Sequence, residues 1–169
     1  MILNNSINAG NFIYCMANWS THEKNTYLNS GDGHYHQFGY IVDGHGVAEI
    51  SITQGGTVIE FNDTNQPGAL IDLSHSKDMY HTTTTTDSTL TMMLFNPIPA
   101  TRNLKVEILT GPITKTISAD TNRIVIVCIT GPVTANDKTL VSLQHAKIFP
   151  GKTVELTLPE NTVCALVSE

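Results

Sequence analysis

Apolar residues in this chain almost never recur at helical spacing. Short runs rich in β-favouring residues alternate instead with Gly, Pro, Asn and Asp, the punctuation of an all-β sandwich or barrel. The runs predict strands near Phe12–Ala17, His34–Val42, Val47–Thr53, Thr57–Phe61, Ala69–Leu73 and Thr89–Phe95. A second series is expected near Leu104–Leu109, Arg123–Thr130, Leu140–Leu143, Ala146–Phe149, Thr153–Leu158 and Val163–Val167. "VDGHG" and "ITQGGT" are expected to be hairpin turns, with Gly44 supplying the positive φ of the first. "TNQPGA" and "FPGKT" read as Pro-Gly turns.

Composition narrows what such a chain does. Hydrophobic residues make up 40% of the 169, ample for a buried core, while charged residues make up only 14%. Thr and Asn replace much of the usual charge, as in "TTTTT" from Thr82 to Thr86. This is the composition of many secreted, viral or assembly-forming β proteins. The formal net charge of -6 leaves no basic face for nucleic acid or an anionic membrane. No apolar run approaches the roughly 20 residues of a membrane span. "MILNNSINAGNF" lacks the basic and apolar regions of a signal peptide, so the expectation is cytoplasmic synthesis, with a virion as one destination. Cys15, Cys128 and Cys164 form no CxxC and sit in apolar contexts, which suits small buried residues in a reducing compartment.

One seam is visible. "NPIPATRN", Asn96 to Asn103, holds two prolines that cannot continue a central ladder. We therefore expect residues 1–100 to form a barrel carrying most histidines, and residues 101–169 to add strands, either completing that barrel or forming a degenerate second half. "TGPIT" at Thr110 and "TGPVT" at Thr130 look like one turn chemistry used twice.

The segments "QFGYIVDGHG" and "GALIDLSHSKDMYHTTTTTDSTLTMMLFNP" resemble the two motifs of the cupin superfamily, the double-stranded β-helix or jelly-roll barrel. The likeness covers roughly residues 31–97, with a weaker echo over 123–167. It implies a cupin-like jelly roll, enlarged or duplicated by its second half. It also implies metal ligands at His34 and His36, a third ligand at Gln37, and His81 from the second motif. Imidazole nitrogens with one amide oxygen suit Fe, Zn, Mn or Ni. The first motif departs from the family in one respect: Gln37 follows His36 directly, where several residues ordinarily intervene. In a regular strand His34, His36, Phe38 and Tyr40 face one way and Gln37 the other. Tyr40 is then either a proton donor or substitute ligand beside the histidines, or a core aromatic.

Two functions follow. One is a structural or assembly subunit of the cupin fold, such as a virion surface or tail accessory protein, homo-oligomeric or part of a larger protein assembly, with at most a vestigial metal site. The other is a metal-dependent cupin enzyme of isomerase, lyase or dioxygenase type. A divalent ion held by the histidines would act on a small-molecule ligand there. The shortened motif and the low charge favour the first.

Overall fold

The computed structural model describes residues 1–4, 6–28, 36–54, 57–61, 67–74, 79–99 and 101–168. Among them there is no helix. The chain divides into two compact units, Met1–Arg102 and Asn103–Glu169.

The first unit holds β1 (Ile2–Leu3), β2 (Ile7–Asn8), β3 (Phe12–Trp19), β4 (Lys24–Leu28), β5 (Phe38–Gln54), β6 (Thr57–Phe61), β7 (Leu70–Asp72) and β8 (Met79–Pro97). They form one antiparallel sheet along the path β1-β3-β8-β5-β6, with β2 on β3, β4 on β8 and β7 on β5. β8 is the spine, pairing with β3 and β5 over its second half and with β4 and β5 over its first.

The expected hairpin at "VDGHG" does not form. β5 runs straight through it, and the ladder with β8 slips twice, between Ile41 and Asp43 and between His45 and Val47. At the first slip β5 carries the extra residue, and at the second β8 does. Gly46 falls within the second slip while Gly44 pairs in register with Leu90, so one glycine here marks a bulge, the other common role of glycine within a strand. "ITQGGT" does reverse the chain: β5 meets β6 with Gln54 opposite Thr57. Gly68 also fits its turn, with φ of 97°.

Alternation divides the central strands into two faces. Cys15, Ala17 and Trp19 of β3, Ile41 of β5, and Leu90, Met92 and Leu94 of β8 form one cluster with Leu73. Phe12, Tyr14, Tyr40, Met93 and Phe95 occupy the opposite face and are also buried. Continuous burial on both faces explains why these segments read as uninterrupted apolar runs.

The second unit holds β9 (Lys105–Thr110), β10 (Ile113–Ala119), β11 (Ile124–Thr130), β12 (Val133–Ala135), β13 (Lys138–Leu140), β14 (His145–Ile148), β15 (Lys152–Leu158) and β16 (Val163–Ser168). They form two four-stranded antiparallel sheets, β10-β15-β12-β13 and β14-β11-β16-β9. The chain changes sheet at nearly every connection, as a jelly roll does. Both Thr-Gly-Pro turns are such crossings: Gly111-Pro112 carries β9 into β10, and Gly131-Pro132 carries β11 into β12. Pro150-Gly151 makes a third, with Gly151 at φ 73° and the Lys152 amide donating to the Phe149 carbonyl at 3.1 Å. Ile117, Ile126, Val133, Leu140, Ile148, Leu156 and Leu166 fill the space between the sheets.

Two expectations are adjusted. β10 and β12 were not expected, because their sequences are short, Thr-rich or mostly exposed on one side. The strand expected at Leu140–Leu143 ends at Leu140, after which Leu143 takes a left-handed turn conformation with φ of 68°. All three cysteines are buried free thiols. Cys128 and Cys164 face each other across the β11–β16 ladder, and burial, with Cys128 and Glu107 nearby, pushes the Cys164 thiol up to about 12.

Candidate functional site

Gln37 lies one residue before β5 and is 5% exposed. Its main chain is fixed on both sides, the amide donating to Ser74 Oγ at 3.2 Å and the carbonyl accepting from Leu73 N at 2.9 Å. Its side chain turns to Asn96 near the end of β8, and Nε2 donates to Asn96 Oδ1 at 2.5 Å. Gln37 Oε1 is buried and has no hydrogen-bond partner among the described residues. Beside the two amides lies a cavity of about 230 Å³, walled by Leu3, Ile13, Cys15 and Leu94, with Ser6 at its exposed side. A Cβ at Gly39, two residues on, would lie 2.3 Å from Met92 Sδ, so the methionine side chain would have to shift. Burial, partly offset by a hydrogen bond with Ser6, pushes the Cys15 thiol up, so it stays a neutral, weakly polar wall.

The other residues singled out from the sequence fall in different places. His34 lies outside the described residues. His36 is half-buried just ahead of β5. His81 is described by its backbone, which pairs with Ile52 of β5 and Tyr27 of β4. Phe38, two residues after His36, pairs instead with Phe95 near the far end of β8, so the ladder does not set His81 beside His36. Tyr40 is buried opposite Met93 and Leu70, and burial pushes its phenol up. Gln37 and Tyr40 stand on opposite sides of the chain, as strand alternation requires. Among the described residues no group of three or more His, Cys, Asp or Glu side chains is placed to hold a metal ion. Gln37, the third implied ligand, has the nitrogen end of its amide tied to Asn96.

Sequence reasoning found Gln37 and missed Asn96, which sits in "NPIP" and read as the start of a seam. Cys15 read only as core. Their shared wall depends on β3, β5 and β8 coming side by side, a long-range pairing that no local pattern announces.

The second unit has a separate cavity of about 370 Å³ where the β12–β13 turn faces β14, bordered by Asn136, Asp137, Lys138, His145 and Lys147. Burial and then the Lys147 charge hold the His145 imidazole below its ordinary 6.5. The unfolded chain therefore takes up this proton first as pH falls. The contribution to stability is complete above about pH 6.5 and is lost as pH drops toward the folded value. His145→Gln should accordingly flatten part of the fall in melting temperature between pH 7 and pH 5, measured by circular dichroism. An unchanged profile would remove His145 as its source.

No protein-family model matches the chain, and no curated protein matches it either. Its fold does have relatives. YhaK from Escherichia coli is 13% identical over 94% of this chain and 86% of that chain, with a TM-score of 0.59. The conserved protein PA5104 from Pseudomonas aeruginosa is 13% identical over 93% and 81%, at 0.58. Salicylate 1,2-dioxygenase from Pseudaminobacter salicylatoxidans is 10% identical over 94% and 70%, at 0.51. At such identities the likeness is one of fold. The all-β architecture and these neighbours together give the chain an all-β, cupin-like jelly-roll fold.

Proposed function

We propose that this chain is a structural or assembly subunit that keeps the cupin fold and uses its surface for self-association, as a virion surface or tail accessory protein would. The observation that supports it most is apolar exposure at the ends of edge strands. Val141 follows β13 and is 50% exposed, and Phe149 follows β14 and is 58% exposed. β13 and β14 are the outer strands of their sheets, with ladder partners on one side only. Both edges are short and carry a lysine, Lys138 and Lys147, so strand addition is disfavoured and the exposed side chains are the contact on offer. In a chain with so few charged residues, a second copy of the same chain is the partner that matches, because charge is depleted at interface cores.

Static light scattering tests this. The expected result is a stable oligomer at micromolar concentration, shifted toward monomer by Phe149→Asp with melting little changed. A monomer at every concentration would end the assembly reading. Stoichiometric Fe, Zn, Mn or Ni in the native protein, lost on His36→Ala with His81→Ala, would instead favour the metal enzyme.

A further inference from the structure

We propose that Cys128 and Cys164 are a site of covalent modification, an intrachain disulfide across the β11–β16 ladder made by exchange with a small-molecule disulfide. This holds whether or not the chain self-associates. Backbone hydrogen bonds fix how close the two residues come. The Cys128 amide donates to the Gln144 carbonyl and the Cys128 carbonyl accepts from the Leu143 amide, both at 2.9 Å, so both polar groups of Cys128 point to the β14 side. On its other side Cys128 pairs directly with Cys164. The partner strand agrees. The Gly111 amide donates to the Thr162 carbonyl at 2.9 Å, and alternation then turns the polar groups of Cys164, two residues on, toward Leu109 of β9. Cys128 and Cys164 are thus a non-hydrogen-bonded pair, the closer of the two antiparallel kinds, in which Cα atoms lie about 4.5 Å apart. Disulfides span Cα separations of about 4.4–6.8 Å. Pairing is regular from Ile124 through Cys128 and slips only beyond it. Both side chains enter the same core between the two sheets.

Position in the chain decides what the bond does. β12, β13, β14 and β15 lie between the two cysteines in sequence, so the bond closes a loop holding much of the second unit and ties its last strand to β11. Closing that loop removes freedom from the unfolded chain and so favours the folded one. The chemistry is thiol–disulfide exchange with a small disulfide such as oxidised glutathione. One cysteine thiolate attacks it and releases one glutathione thiolate; the second attacks the mixed disulfide at the protein sulfur and releases the other. Two protein thiols lose two protons and two electrons, and the glutathione disulfide takes them up to become two thiols. Both cysteines are fully buried. Burial pushes both thiols up, with a hydrogen bond from the Val133 backbone offsetting part of this at Cys128. Exchange therefore runs while β16 is undocked, when the sulfurs meet solvent.

The test equilibrates the whole chain with reduced and oxidised glutathione, in buffer and in urea, and maps the cysteines by peptide mass after acid quenching. The Cys128–Cys164 link is expected to dominate, within one chain, with Cys15 left as a thiol. Its equilibrium constant should be at least about tenfold higher in buffer than in urea, because a bond that stabilises the fold is favoured by the fold to the same degree. The oxidised chain should unfold at a higher urea concentration than the reduced one. Equilibration from both native and unfolded protein makes slow access to the buried sulfurs a difference in rate and not in endpoint. Cys15→Ala, which keeps the pair, should leave the ratio of the two constants unchanged. Equal constants in the two solvents, or links through Cys15 or between chains at matching yield, would each overturn the proposal.

Discussion

Gly111→Ala is expected to lower the thermal midpoint by about 6–12 °C, the shift for a chain of this size when about 3 kcal/mol is lost. The reason is purely steric. A Cβ at position 111 would lie 1.8 Å from the Pro159 carbonyl oxygen and 2.9 Å from that of Leu158. Both obstacles are backbone, and the Gly111 amide is itself bonded to the Thr162 carbonyl at 2.9 Å, so neither strand end can retreat cheaply. Gly151 makes the control. It has positive φ but open space around it, and alanine there should cost about 1–2 kcal/mol, from backbone strain alone. Differential scanning calorimetry on both variants is decisive: equal, small shifts would show that the corner around Gly111 yields.

Phe95→Ala should cost about 3–5 kcal/mol, the range for emptying a buried aromatic site. Phe95 is fully buried, stands between Tyr14 and Phe38 in the ladder, and meets the Phe12 ring at 6.3 Å with a 52° tilt. Phe12 in turn meets Tyr14 at 6.1 Å. The removed ring therefore leaves other rings without contacts, and stiff neighbouring strands resist collapse into the gap. Urea unfolding gives the number. A loss below about 1 kcal/mol would mean that this face is loosely filled.

What the sequence revealed depended on where the controlling interactions lie. Strands such as Phe12–Trp19 and Ile124–Thr130 were legible because burial on both faces makes them continuously apolar. The Thr run stands in for charge in the composition, and the strand was expected only from Thr89, yet β8 begins at Met79. Thr83 and Thr85 are buried, and Thr85 shows how: its hydroxyl donates to the Ser20 carbonyl and accepts from the Glu23 amide at 3.1 Å. A loop more than sixty residues away thus makes threonine a core residue, which no local pattern records. "VDGHG" misled for a related reason, since glycine serves a turn and a bulge equally and only the partner strand decides between them. At the candidate site, Gln37 could be named from the motif likeness, but its role could not. That role is set by Asn96, an amide whose nearness follows from the β5–β8 register.

The second unit places its first strand, β9, against its last, β16, which also pairs with β11 and so lies inside its sheet. Such a unit cannot be completed progressively as synthesis proceeds. β9 has no permanent neighbour until residues 163–168 emerge, and until then two hydrogen-bonding edges stay open to any passing strand. For this half of the molecule the hazardous interval is the wait on the ribosome for one six-residue segment.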